Sequence, residues 1–565
     1  MERDKLAIGA PTPPGEPCAE VLHPFLPWLT GSLLLLGTRP NAESRARWAP
    51  TAAVVHTADG ADLPASTRFD AVVLLGLLSR RDDGGGCALD ATIAWAQERL
   101  RLGGRLILVV DNALSLHGLA SGSETAGERG FPSLEGRPRS DGARLPTRAG
   151  LKRSLGARGL VHQDWWFPFP DQGRPLSLVA ERGLARPGGF DPGMLAIGAA
   201  GPEPAACAGA LFSPRRAWGP VADLGLTGDL APAFAVAASE APLPPDDRLA
   251  IHLGLRRRPE FERLVTFADA GSRIAVRRAR VNPDLPVAVA GVTNLLPSET
   301  YAPGSLWSAD LEARLAREGW CPDAVAAWAG TWLEAVSRCF AAGARMGPDT
   351  LLPARALDAI PKNLVSGTNR TFIDLEWDLG VPLDAGHLAV RGLVNALTDA
   401  PDWRPGGASG LTLLDALRAL LPRLGFALDD AQLADRLARE SRFQSIVSDR
   451  VIERGLGWAA ATRLPAGGPA RSGADPRAAL VEASAEIARL REENAALRAA
   501  RTADAAAHAD TERESARRTD RVIAYAAELH RARDHLQNTL DARRASSAYG
   551  RRLPLRLLRL LRGTP

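Results

Sequence analysis

Apolar runs and helix-like spacing alternate along the first 185 residues. Almost entirely apolar runs occur at SLLLLG (32–37), FDAVVLLGLL (69–78) and RLILVVDN (105–112), and TAAVVHTADGADL (51–63) adds one strand-like run. Between them, ATIAWAQERLRLGG (91–104) has helical spacing and closes with two glycines. Apolar strands separated by helices predict a parallel sheet that is covered on both faces. Ligands of such sheets bind outside the carboxyl ends of the strands.

The pattern changes in the middle of the chain. Residues 186–245 are rich in Ala, Pro and Gly and have weak periodicity, which predicts a connector with short elements. Residues 248–280 alternate around the turn ADAGSR (268–273), as a small antiparallel sheet does. Residues 322–344 then have the spacing of a long helix. We therefore expect an α/β domain followed by an α+β domain.

A heptad pattern follows the linker at 463–477 and predicts an all-α coiled coil. It weakens over 502–518 and resumes with Val522, Leu529 and Leu536. One long solvated helix that packs on the domains is the alternative. The first part of the seam is formed by Leu480, Ile487, Asn494 and Arg501, with Ala483, Leu490 and Leu497 at the alternate positions.

The last segment is basic and amphipathic. From Arg543 onward there are seven arginines and no acidic residue, and leucines crowd RRLPLRLLRLLRG (551–563). Such a segment is typical of one that lies on an anionic membrane surface or docks on a partner protein. A disordered tail is the alternative. Nucleic acid would gain little from the leucines, and the net charge of +4 over 565 residues gives no wider basic footprint.

The cysteines and lysines of the chain limit which kinds of metal and phosphate site we expect. The five cysteines are far apart and form no CxxC pair, so we expect no zinc site and a reduced, cytoplasmic protein. The N-terminus lacks the apolar core of a signal peptide, and no run approaches a membrane span of about 20 residues. Only three lysines occur, and none lies between Lys152 and Lys362.

The first domain resembles class I S-adenosylmethionine-dependent methyltransferases, in the strand FDAVVLLGLL and the turn LRLGGRLILVVDN. The resemblance implies a cofactor loop after the first strand, where Gly37 is the one glycine kept. Asp59 would contact the adenine or, equally, cap a turn. Asp111 and Asn112 are the pocket candidates at the end of the third clear strand. The loop carries Arg39 and Pro40, and one strand stands where two are expected, so the predicted fold is Rossmann-like and partly truncated.

Residues 131–179 resemble the end of methyltransferase domains in bacterial surface-polysaccharide proteins. The matching residues are Glu135-Gly136 and FPFPD (167–171), which includes Asp171 as a further pocket candidate. The alternative is a sheet edge fixed by proline, with aromatic packing.

The segment ALDAIPKNLVSGTNRTFIDLEWDLG (356–380) resembles the catalytic hairpin of protein-kinase-like and aminoglycoside-phosphotransferase-like folds. The resemblance implies Asp358 as the base, with Asn363 and Asp374 holding Mg²⁺ on ATP. Arg277 or Arg278 stands where the phosphate lysine is expected. A β-hairpin with Asx-capped turns is the alternative.

The order of these parts resembles the bifunctional methyltransferase–kinase that terminates O-antigen chains. The resemblance implies a protein at the inner face of the plasma membrane that modifies a sugar hydroxyl of a glycan or glycolipid. It also implies homo-oligomers formed through the coiled coil, and a tail that recruits the protein to the membrane or to a glycosyltransferase. The alternative is an inactive scaffold for glycosyltransferases. The predicted parts are a methyltransferase-like domain (1–185), a connector (186–245), a kinase-like domain (246–460), a linker (461–477), a coiled coil (478–542) and a tail (543–565).

Overall fold

The computed structural model divides the chain into two units, Met1–Ala470 and Arg471–Pro565. In the first unit it describes residues 18–37, 53–57, 63–64, 66–76, 89–124, 130–137, 139, 144–200, 211–367, 369–400 and 410–464. In the second it describes residues 489, 492–493, 496, 514–515, 517–539 and 541–542.

The described strands are numbered in chain order. They are β1 (Ser32–Gly37), β2 (Ala53–Thr57), β3 (Phe69–Leu75), β4 (Leu100–Asp111), β5 (His162–Phe169), β6 (Ser177–Ala180), β7 (Ala233–Ser239), β8 (Arg248–Gly254), β9 (Arg263–Asp269), β10 (Ile274–Arg280), β11 (Ala288–Val289), β12 (Val292–Asn294), β13 (Glu299–Thr300), β14 (Ser305–Leu306), β15 (Leu351–Leu352), β16 (Leu364–Ser366), β17 (Thr371–Phe372), β18 (Trp377–Asp378) and β19 (Leu383–Asp384).

The described α-helices of the first unit are numbered in the same way. They are α1 (Leu89–Gln97), α2 (Leu116–Ser121), α3 (Arg148–Ala157), α4 (Glu181–Leu184), α5 (Pro192–Ala200), α6 (Pro214–Asp223), α7 (Trp307–Glu318), α8 (Pro322–Phe340), α9 (Ala385–Asp399), α10 (Leu413–Arg423), α11 (Asp430–Ser448) and α12 (Leu456–Ala461). Short 3-10 helices cover Ala19–Trp28, Pro187–Gly189, Pro259–Phe261, Ala354–Asp358 and Pro361–Asn363.

One sheet of eleven described strands runs through the first unit, in the order β2-β1-β3-β4-β7-β5-β6-β8-β9-β10-β13. Strands β2, β1, β3 and β4 are parallel, and from β4 to β13 each neighbouring pair is antiparallel. It follows that β1, β3, β4, β5 and β8 all end at the same side of the sheet, which we call the carboxyl edge.

Both faces of the parallel strands are buried, which explains their continuous apolar sequence. On one face Leu34, Val72 and Leu108 pack in a core that includes Ile93 of α1 and Leu151 of α3. The other face packs in a second core under the 3-10 helix Ala19–Trp28. The predicted α/β sheet is thus observed, with β1 at 32–37 and β2 at 53–57 among the described residues.

The predicted helix at 91–104 ends early. Helix α1 stops at Gln97, and Leu100 already pairs with Phe69 as the first residue of β4. Leu102, expected on the apolar face of the helix, is fully exposed. Gly103 and Gly104 therefore lie within a strand rather than closing a helix.

The large sheet also includes part of segment 186–245, which the sequence predicts to be a connector. Residues 233–239 of that segment form β7, which is buried along its whole length between β4 and β5. Its sequence, AFAVAAS, gives no alternation because both faces are covered. Strands β8, β9 and β10 form the antiparallel sheet predicted at 248–280, and they continue the large sheet.

A separate core lies between Phe261 and Leu464 and is formed mainly by helices α7 to α12. Helix α8 confirms the helix predicted from residue 322. Trp332 of α8 is fully buried, and its indole Nε1 donates to the Ala359 carbonyl at 2.6 Å. The predicted domain boundaries stay predictions. Strands on both sides of the predicted boundary at residue 246 belong to one sheet, although the helical part has a core of its own.

In the second unit, residues 517–539 are helical. Val522, Leu529 and Leu536, which continue the predicted seam, are 68%, 54% and 53% exposed. The coiled coil stays a prediction, and its first seven seam residues and the tail from 543 lie outside the described residues. Among the helices that the structure describes, none combines the length and the apolar character that crossing a membrane requires.

Candidate functional site

Polar side chains from three parts of the chain meet at the carboxyl edge. Asp111 is the last residue of β4, and the turn after β5 carries Asp171 and Gln172. The Gln172 amide Nε2 donates to Asp111 Oδ1 at 2.6 Å. The main-chain carbonyl of Gln172 in turn accepts from the Cys18 main-chain N–H at 3.1 Å. These contacts place a carboxyl, an amide and the start of the first 3-10 helix together.

The environment of Asp111 favours its neutral form. The pKa of its carboxyl is raised to about 7, mainly because the group is buried. The charge of Arg139 opposes this rise and that of Asp171 adds to it. A carboxyl with a pKa near neutrality can exchange a proton with a ligand, so this perturbation marks Asp111 as a candidate functional group.

Gln172 is held tightly but is not fully satisfied. It is 3% exposed, and its Oε1 has no hydrogen-bond partner among the described residues. Sequence reasoning missed this residue, although it directly follows the FPFPD match. Its contact with Asp111 joins positions 61 residues apart, which no local pattern reveals.

Asn112 has a structural environment. Its Nδ2 donates to the carbonyls of Asp229 and Ala231, each at 2.8 Å, and its Oδ1 accepts from the Leu114 N–H at 3.0 Å. With every polar atom of its side chain bonded to the main chain, Asn112 fixes the loops after β4. Gly37 ends β1 at the same edge, while Asp59 lies outside the described residues.

The FPFPD segment combines packing with a turn. Phe167 and Phe169 are fully buried, and their rings meet Phe234 and Trp218 edge to face at 6.2 and 5.0 Å. Asp171 Oδ1 accepts from the N–H groups of Gly173 and Arg174 at 2.7 and 2.8 Å, an Asx-type turn. Glu135 forms an ion pair with Arg137 on the surface.

The predicted kinase-like residues lie close together at the helical core between Phe261 and Leu464, and several of their polar atoms already have partners. Asp358 is 4% exposed and pairs with Arg391 at 2.9 Å. Arg391 also pairs with Glu440 at 2.6 Å. The Asn363 amide Nδ2 donates to the Asp358 carbonyl at 2.9 Å.

Asp374 is held by two arginines. Its Oδ1 and Oδ2 accept from Arg263 Nη1 and Nη2 at 3.0 and 3.1 Å, and Oδ1 also accepts from Arg278 Nη2 at 3.0 Å. Arg278 pairs with Glu299 as well, at 2.9 Å. Arg278 thus lies against Asp374, and its assignment as the phosphate-binding group stays a prediction. Arg277 is exposed and lies 3.8 Å from Asp247 instead.

This arrangement does not fit Mg²⁺. A magnesium site needs free, hard oxygen ligands, whereas both oxygens of Asp374 receive guanidinium N–H groups. Within the described ranges, no three His, Cys, Asp or Glu side chains are grouped as metal ligands. Arginine charge occupies the position that the kinase resemblance assigns to the metal.

A groove of about 810 Å³ lies in the helical core, between α8 and the end of α10. Asp323, Glu334 and Arg338 line it on one side and Arg423 on the other. None of the residues of the carboxyl edge or of the Asp374 cluster contributes to it, so it is not part of either site.

No protein-family model matches the chain, and no curated protein matches it. Among solved structures, the chain is similar to the Burkholderia thailandensis 1,6-didemethyltoxoflavin-N1-methyltransferase with bound 1,6-didemethyltoxoflavin and S-adenosylhomocysteine. The match has 18% identity, covers 29% of this chain and 74% of that one, and has a TM-score of 0.18. A superposition score this low supports no inference about fold or function.

Proposed function

We propose that this chain binds S-adenosylmethionine at the carboxyl edge and transfers its methyl group to a sugar hydroxyl of a bacterial cell-surface glycan. The observation that carries the proposal is the strand order around β1. Its neighbours are β2 on one side and β3 on the other, so the connections leaving β1 and β2 run in opposite directions across the sheet. In open α/β sheets, the ligand crevice lies at this reversal, outside the carboxyl ends of the strands.

The antiparallel strand β7 supports a methyltransferase rather than a dinucleotide-binding domain. The usual order of a dinucleotide-binding sheet consists of parallel strands, and the sheet is mostly parallel. Here the antiparallel β7 separates β4 from β5, which itself runs parallel to β4. Class I methyltransferase sheets have such an antiparallel strand beside their last parallel strands. The resemblance at 69–112 therefore agrees with the strand order as well as with the local sequence.

The glycan acceptor rests on the resemblance at 131–179. A glycan or glycolipid substrate would be presented at the membrane, and the basic tail would bring the enzyme to its inner face or to a glycosyltransferase. The apolar positions on the helix at 517–539 support self-association, because they are exposed in a single chain. Each of these assignments is part of the proposal.

The Arg391 and Asp374 contacts favour a non-catalytic role for the kinase-like part. Arg263 and Arg278 pair with Asp374, and Arg391 pairs with Asp358, so arginine charge takes the place of metal-bound ATP at these two carboxylates. We propose that the kinase-like part serves as a scaffold for the methyltransferase domain. The scaffold alternative then applies to this half of the chain alone.

Calorimetric titration of the full chain tests both halves of the proposal. S-adenosylmethionine should give saturable heat, with a dissociation constant in the range of about 1 µM to 1 mM that is usual for enzyme substrates. Mg-ATP should give none, because arginine groups occupy the oxygens of Asp374. Absence of heat with S-adenosylmethionine would contradict the methyltransferase. Heat with Mg-ATP that Asp374→Ala abolishes would restore the kinase interpretation.

A further inference from the structure

The carboxyl edge contains one carboxyl group that is placed to accept a proton. Asp111 ends β4 at the carboxyl edge, beside the end of β3, and is partly exposed. Oδ1 receives the Gln172 amide at 2.6 Å, and among the described residues Oδ2 accepts no hydrogen bond. Asp171, the neighbouring acid, has its side chain engaged in the turn at Gly173 and Arg174.

We infer that Asp111 Oδ2 removes the proton from the acceptor hydroxyl during methyl transfer, with Gln172 as the residue that positions the carboxyl. The inference rests on the proposed function. The acceptor oxygen attacks the methyl carbon, a new C–O bond forms and the C–S bond breaks. The sulfur leaves as the neutral thioether of S-adenosylhomocysteine, and the hydroxyl proton passes to Asp111 and then to solvent. The acceptor is thus an alcohol of ordinary acidity, for which a base contributes about 10²- to 10⁴-fold in rate.

The packing of Gln172 explains how the carboxyl is kept in place. The Gln172 side chain is buried, its main chain is tied to Cys18, and its only side-chain hydrogen bond among the described residues is the one to Asp111. Its Oε1 stays without a donor in the same set. Among the described residues, the hydrogen bond to Asp111 is therefore the polar contact that orients the Gln172 side chain.

Electrostatics support the proton-acceptor role. Burial raises the pKa of Asp111 to about 7, and of the charged groups facing it Arg139 lowers the pKa and Asp171 raises it. The base thus has a pKa close to neutral pH, as general bases do. A carboxyl whose pKa is raised on folding binds its proton more tightly in the folded state, so folding stability falls as pH rises from about 4 to about 7.

Asp111→Asn, a neutral isostere, separates the possible outcomes without knowledge of the exact acceptor. The probe is tritiated methyl transfer from S-adenosylmethionine to the lipid-linked glycan fraction of a bacterial envelope. We expect transfer to fall at least about 100-fold, with the affinity for S-adenosylmethionine changed less than about 3-fold. Gln172→Met should reduce transfer about 10-fold and move the midpoint of the pH–rate profile upward, because the carboxylate loses a donor. A merely structural role would leave that midpoint unchanged.

Thermal unfolding gives a readout that needs no ligand. The variant Asp111→Asn should unfold only slightly above the wild type at pH 5 and at a clearly higher temperature than the wild type at pH 8. The matched control is Asp223→Asn, an exposed partner of Arg186 at 3.0 Å, which should show no such pH-dependent gap and normal transfer.

The outcomes of the two assays are distinct. If the wild type binds no S-adenosylmethionine, the proposed function fails, while the pH-dependent gap still reports on Asp111. Equal unfolding temperatures of the wild type and Asp111→Asn at both pH values would contradict a raised pKa of Asp111. Transfer by Asp111→Asn within about 3-fold of wild type, or no transfer by a wild type that binds the cofactor, would overturn the proton-acceptor role.

Discussion

Replacing Arg391 with methionine is expected to lower the free energy of unfolding by about 3–5 kcal/mol, the usual cost of removing one partner from a buried ion pair. Arg391 lies between two buried carboxylates, Asp358 at 2.9 Å and Glu440 at 2.6 Å. Methionine fills similar volume without charge, so both carboxylates lose the cation that balances them. Guanidinium chloride denaturation followed by tryptophan fluorescence measures the loss, because Trp332 and Trp377 lie in the same core.

The matched control is Arg418→Met. Arg418 pairs with Asp430 at 2.8 Å on the surface, and both side chains are more than half exposed. Exposed ion pairs contribute about 0–1 kcal/mol, so this variant should be nearly unchanged. Equal effects of the two substitutions would contradict a stabilising role of the buried cluster.

The effect of Arg391→Met should depend on pH. Although burial opposes it, pairing with Arg391 lowers the pKa of Glu440 below its usual range. A carboxyl with a lowered pKa stabilises the fold above its unfolded-state pKa of about 4.3, and the contribution is lost in more acid solution. Without Arg391, burial favours the protonated forms of both carboxyls, so the difference between wild type and variant should shrink as the pH falls, beginning above the unfolded-state pKa.

Val236→Asp is expected to prevent stable folding of the large sheet. Val236 is fully buried in β7, between β4 and β5. An unpaired carboxylate there has no partner and costs several kcal/mol, of the order of the whole stability of a domain (about 5–15 kcal/mol). Circular dichroism and limited proteolysis would show the loss of the sheet.

Leu224→Asp is the control from the same segment. Leu224 is 73% exposed, so an aspartate remains solvated and the stability should change by less than about 0.5 kcal/mol. If both variants fold normally, residues 233–239 behave as the connector that the sequence predicts rather than as a central strand.

The sequence predicts the parallel strands because their chemistry is local. SLLLLG and FDAVVLL are almost entirely apolar, and that pattern alone indicates strands with two covered faces. The helix at 91–104 was wrong in its second half because Leu100 and Leu102 fit helical spacing, whereas the pairing of Leu100 with Phe69 is a tertiary contact. The role of β7 is not visible because an alanine-rich run suits a helix, a loop or a buried strand equally.

At the candidate sites, too, the sequence indicates single residues but not the distant residues that contact them. The sequence indicates Asp111 from its place after a strand, but Gln172 reaches it across 61 residues. Asp374 is indicated by its hairpin, but Arg263, 111 residues away, decides its chemistry. Motifs identify residues with reactive groups, whereas the fold determines whether those groups face a ligand or a counter-charge.

Hydrogen–deuterium exchange of the full chain with and without S-adenosylhomocysteine tests the central claim most directly. The product should slow exchange in peptides that contain the carboxyl ends of β1, β3 and β4, around Gly37, Gly76 and Asp111. It should leave the groove between α8 and α10 unchanged. No protection anywhere, or protection confined to that groove, would contradict a methyl-donor site at the carboxyl edge.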